Sequence, residues 1–65
     1  MLFEVNWRGK QKEFLDFDDA LNFLYSTECV GDIWQNKNGE YQLIVHRGEK
    51  SYGRFYTVFN PEMIR

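Results

Sequence analysis

His46 is the single histidine of this 65-residue chain, and Cys29 is the single cysteine. A general base needs an orienting partner and a cleft. His46 instead closes the plain apolar run Leu43-Ile44-Val45 and is followed by Arg47-Gly48. The residue pattern makes His46 structural or solvent-facing, and Cys29 a small apolar side chain rather than a nucleophile. One Cys and one His can form neither an internal disulfide nor a four-ligand zinc site within the chain. Asp16, Asp18 and Asp19 are crowded enough to suggest a divalent cation, but they lack the calcium-loop spacing and its downstream Glu. Capping and solvation at a helix start explain them better. The glycines are isolated and build no phosphate-cradling loop. The expectation is a protein with no catalytic set, no cofactor and no metal, and hence not an enzyme.

Charge and aromatic placement say more. Residues 1–33 carry three Lys or Arg against seven Asp or Glu, net −4, and residues 34–65 carry five against three, net +2. In the basic half, Arg47, Lys50, Tyr52, Arg54 and Tyr56 fall close together around one loop and strand. Rings that stack bases and cations that follow phosphates are what a single-stranded nucleic-acid platform needs. The overall charge of −2 is unusual for such a module. Arg and Tyr, with Trp, are also the residues that dominate protein-binding hot spots, which makes the same cluster a protein-docking candidate. An acidic mimic of a nucleic-acid backbone would need far more carboxylate than the first half supplies.

These side chains need elements to hold them. With 43% hydrophobic and 18% aromatic residues the chain is too apolar to be disordered. No apolar run approaches the ~20 residues of a membrane span. No basic, apolar, small-residue order at the N-terminus reads as a signal peptide, so a cytoplasmic protein is expected. A domain of this size buries little surface, and the expected remedy is a core built of rings. Near-alternation in Leu2–Trp7 predicts a strand with Phe3, Val5 and Trp7 on one face. Arg8-Gly9 turns the chain into a return strand over Lys10–Leu15. Asp16–Glu28 predicts the one helix, capped by Asp16, with Phe17, Ala20, Leu21 and Leu24 as its buried stripe. Strands follow at Asp32–Gln35, Glu40–Arg47 and Arg54–Phe59, with Gly48–Gly53 as a loop and 62–65 as a loose tail. The whole chain reads as one α+β domain of order β-β-α-β-β-β, an antiparallel sheet of four to five strands with the helix on one face.

Two hairpin registers decide which residues reach the surface. A type I turn over Asn6-Trp7-Arg8-Gly9 with a glycine bulge pairs Glu4 with Lys12 and is favoured, since it avoids the Glu4–Glu13 apposition of a two-residue turn at Arg8-Gly9. At Asn36–Gly39 a four-residue turn with a glycine bulge is favoured over a two-residue turn at Asn38-Gly39. The favoured form sets Trp34, Ile44 and His46 on one face and buries Tyr41, Leu43 and Val45 beneath the helix. The other form puts Trp34 with Tyr41, Leu43 and Val45. The expected core is Phe3, Val5, Phe14, Phe17, Leu21, Leu24, Leu43, Val45 and at least one of Phe55 and Phe59. Together these features predict a protein-binding module acting on a larger protein as inhibitor, adaptor or regulator, a role that suits small proteins of phages and other mobile elements. Its expected surface is Trp34, Ile44, His46, Arg47, Tyr52, Arg54 and Tyr56. Single-stranded nucleic-acid binding through residues 47–56 is the alternative, and pairing of two copies through a sheet edge is a further expectation.

Overall fold

Alternating apolar residues and turn-forming glycines set out five strands: β1 (Leu2–Trp7), β2 (Lys10–Phe14), β3 (Gly31–Lys37), β4 (Glu40–Glu49) and β5 (Phe55–Phe59). They form one antiparallel sheet of order β2-β1-β3-β4-β5, with the helix α1 (Phe17–Ser26) between β2 and β3 in the chain. This computed structural model describes residues 1–26 and 30–60. Cys29, the end of the expected helix at 27–28 and the expected tail at 62–65 lie outside the described residues.

Asp16 starts α1 as its spacing predicts. Its Oδ2 accepts from the Asp19 N–H at 3.3 Å and its carbonyl accepts from the Ala20 N–H at 3.2 Å. Asp18 and Asp19 then place negative charge in the first turn, where the helix dipole favours it. Ala20 and Leu24 are fully buried, and Phe17, Leu21 and Phe23 pack around them. Gly31 allows the close fit of β3 beneath the helix. A Cβ there would lie 2.6 Å from the Asn6 carbonyl oxygen and 2.8 Å from Leu24 Cδ1.

The first hairpin corrects the favoured register. Arg8 and Gly9 both take positive φ (47° and 73°), a two-residue turn, and Phe3 pairs with Phe14 while Glu4 faces Glu13. The Glu4–Lys12 register would have moved Phe14 to the Leu2 face, away from the helix. Burying a ring is worth about 2 kcal/mol or more, whereas like charges on a wet strand face cost tenths. Packing decides, and Phe14 stacks obliquely on Phe23 at 5.3 Å.

The second hairpin also takes the two-residue form. Asn38 (φ 54°) and Gly39 (φ 84°) make the turn, and Trp34 pairs with Leu43. At the next pair along the same ladder the register slips: Ile33 pairs with Val45, leaving Ile44 as an extra residue on β4. This β-bulge turns both Ile44 and Val45 inward. Ile44, expected at the surface, is 1% exposed and belongs to the core; Leu43, expected in the core, is 37% exposed. Tyr41 is likewise exposed rather than buried.

The fully buried set is aliphatic: Val5, Leu24, Ile33, Ile44 and Val45, with Ala20. Rings form a half-buried rim instead of the expected centre. Trp7 meets Phe23 edge-on at 4.7 Å, and Phe3 tilts against Phe17 at 5.6 Å. Lys12 lies over the Phe14 and Phe23 rings, its ammonium 5.4 and 5.0 Å from their centroids. Among the described residues the one ten-residue helix packs mainly on β1, β2 and β3 and meets β4 through Arg47. Phe55 and Phe59, both expected as core candidates, therefore stay exposed on β5.

Candidate binding surface

Strand pairing assigns each side chain to a face. On the side away from α1 stand Glu4 and Asn6 of β1, Trp34 of β3, Tyr41, Leu43 and His46 of β4, and Tyr56 and Val58 of β5. Among the described residues no helix covers this face. Trp34 is half-buried between Glu4 and Leu43, its cross-strand neighbours. Tyr41, Leu43, Tyr56 and Val58 are exposed. A shallow depression of about 450 Å³ lies among Glu4, Asn6, Gln11, Trp34 and Tyr41. Its polar side is ordered by the Asn6 amide, which donates to Glu4 Oε1 at 3.1 Å. A second, more apolar hollow of about 300 Å³ lies beside the bulge, lined by Leu43, His46, Val58 and Asn60 above Ile44 and Val45.

His46 faces Asp32 across the β3–β4 ladder, and its Nδ1–H donates to Asp32 Oδ1 at 2.6 Å. Both side chains are over a third exposed, so the pair contributes less than about 1 kcal/mol. It fixes the ring, which lies 5.9 Å from Tyr56. The Tyr56 ring folds flat over Gly48 of the neighbouring strand, where a Cβ would overlap it. The absent side chain at Gly48 is what seats Tyr56, and the Lys50 ammonium stands 5.7 Å from that ring.

The remaining expected residues fall elsewhere. Arg47 is on the α1 side, where its Nη1 donates to the carbonyls of Leu24 (3.3 Å) and Tyr25 (3.4 Å). Its guanidinium lies between the Tyr25 and Phe55 rings, 5.3 and 4.4 Å from their centroids. Tyr52 is 99% exposed at a 3-10 turn spanning Ser51–Gly53, with φ at 69°. Arg54 follows, exposed, its carbonyl accepting from the Lys50 N–H at 2.6 Å. His46 and Tyr56 are thus brought together on the Trp34 face. Arg47 is on the opposite face, Ile44 is inside, and Tyr52 and Arg54 project from one end. Sequence reasoning left out Tyr41, Leu43 and Val58. The Asn-Gly step at 38–39 was the signal, since both of its residues readily take positive φ and so fix the two-residue register.

Among the described residues no three of His, Cys, Asp and Glu converge on a common point, and no helix is long and apolar enough to cross a membrane. Compared with protein-family models, curated proteins and solved structures, the chain matches none.

Proposed function

We propose that this chain is a non-enzymatic protein-binding module that engages a larger protein through the helix-free face of its sheet. The observation that carries the proposal is that Trp34, Tyr41, Leu43, Tyr56 and Val58 share that face with no element over them among the described residues. Contiguous exposed apolar surface on a small domain marks an interaction site. Trp and Tyr supply large contact area at low cost in conformational freedom and are enriched in binding hot spots. The bulge hollow beside Leu43 and Val58 offers a recess for a partner side chain, and the polar depression at Glu4 and Asn6 offers directional hydrogen bonds. Inhibitor, adaptor and regulator are roles such a module can fill. Localisation in the cytoplasm and a mobile-element origin stay part of the proposal.

Single-stranded nucleic acid is the competing ligand, favoured by Lys50 over the Tyr56 ring and by the exposed Arg54. Against it, Arg47 is engaged with α1, which leaves a weak basic field on a chain of net charge −2. The deciding experiment captures partners from extracts of the native host with wild-type protein and with Trp34→Ala, and titrates both with single-stranded DNA and RNA at low and high salt. Protein binding predicts a partner retained by wild type and lost with Trp34→Ala. Binding to nucleic acid that collapses as salt rises would replace this proposal with the alternative.

A further inference from the structure

The two edges of the sheet differ in what they admit. β2 carries Lys10, Lys12 and Glu13, and charged side chains on an edge oppose strand addition. β5 is Phe-Tyr-Thr-Val-Phe, without charge, proline or glycine. Among the described residues only β4 pairs with it. The direction of its backbone groups follows from the ladder. The Asn60 N–H donates to the Ile44 carbonyl, and the Lys50 N–H donates to the Arg54 carbonyl. Ile44–Asn60 and Lys50–Arg54 are therefore hydrogen-bonded pairs. Such pairs alternate along an antiparallel ladder, so Tyr56 and Val58 turn their amide groups toward β4. Phe55, Thr57 and Phe59 turn theirs toward the open edge.

We propose that this edge binds a second copy of the chain, β5 against β5, antiparallel and centred on Thr57. In that register Thr57 faces Thr57 of the second copy and Phe55 faces Phe59 at either end. Every outward N–H and C=O from Phe55 to Phe59 then meets a partner. The same parity puts the side chains of Phe55, Thr57 and Phe59 on the α1 side, where the two phenylalanines are 40% and 42% exposed. Two Phe–Phe pairs thus flank a Thr–Thr pair, and Tyr56 meets Val58 on the other face. Each of these pairings stabilises a sheet. Charge permits the contact: Arg54 falls opposite Asn60 of the other copy. The two Arg54 residues sit about 20 Å apart at ~3.4 Å per residue, beyond the screening length. A shift of two residues breaks both Phe–Phe pairs, setting one phenylalanine of each copy against Thr57 and the other beyond the end of the partner strand. Pairing of β5 with β2 would set lysines against rings and propagate without closing, whereas the two-fold contact closes at two copies. The product is one continuous sheet through both molecules. It does not depend on the helix-free face, so either proposal can fail alone.

Sedimentation of the wild-type chain from about 1 μM to 1 mM, the range for a contact of this size, tests the proposal together with site-resolved amide exchange. The expected result is a monomer–dimer equilibrium. As the dimer fills, exchange at Phe55, Thr57 and Phe59 slows while Tyr56 and Val58 hold steady. Thr57→Pro removes only an outward N–H, which an edge strand tolerates. Thr57→Lys keeps that N–H but sets two ammonium groups face to face. Both variants should stay monomeric across the range with an unchanged circular dichroism spectrum. A wild type that remains monomeric, folded variants that dimerise as wild type does, or mass that climbs past two copies overturns the proposal.

Discussion

Arg47 uses its guanidinium inside the fold, on the last helical carbonyls described and between the rings of Tyr25 and Phe55. The helix has no basic residue of its own in its last turn, so β4 supplies the cation that the C-terminal dipole favours. Arg47→Ala removes these hydrogen bonds together with the stacking, and should lower stability by about 1–3 kcal/mol in chemical unfolding. Arg47→Lys should recover little of it, because a point charge lacks the planar stack. Arg8 shows the opposite case. It holds φ at 47° in the first turn, a conformation that costs a branched or long side chain about 1–2 kcal/mol and costs Asn less. Arg8→Asn creates an Asn-Gly turn and should raise the unfolding midpoint, corresponding to about 0.5–1 kcal/mol. Neither role was legible beforehand. A basic residue beside aromatics reads the same whether it faces a partner or a helix end, and positive φ at Arg8 follows only once the register is known.

At the scale of elements, the succession of strands and helix along the chain and the Asp16 cap follow from spacing, and they stand as the alternation and the capping pattern predict. What spacing could not carry is the phase change in β4. Tyr41, Leu43 and Val45 alternate without a break on paper, yet the bulge at Ile44 sends the first two outward and the third inward. The only trace is three consecutive apolar residues, Leu43-Ile44-Val45, where a half-buried strand needs alternation. Trp34 accordingly reaches the face away from α1, as expected, but through the turn expected to bury it. The two expectations erred in compensating directions, because one residue of slip inverts a face and the bulge inverts it again. Ile44→Ala and Leu43→Ala separate the two sides of the bulge. Ile44→Ala should cost about 2–5 kcal/mol as a core truncation, while Leu43→Ala, on the exposed face, should cost under about 1 kcal/mol. Equal losses would mean that Leu43 is packed inside.

The whole molecule is a sheet longer than its cover. Among the described residues one helix packs over β1, β2 and β3 on one side, and β5 and the opposite face have no element over them. A domain this small has little stability to spare. On the proposed reading, the aromatic side chains on the open face add little to folding where they stand and serve to bind a partner. Trp34 is the centre of that claim, and its truncation is the most direct test. Unfolding of Trp34→Ala should be measured beside that of Leu24→Ala, together with the affinity of Trp34→Ala for the captured partner. Leu24→Ala should lose about 2–5 kcal/mol. Trp34→Ala should stay folded, losing no more than about 1.5 kcal/mol, while its affinity falls about 30-fold or more, the mark of a central Trp anchor. A Trp34→Ala chain that unfolds as readily as Leu24→Ala, or one that binds the partner as tightly as wild type, would contradict the assignment of this face as the binding surface.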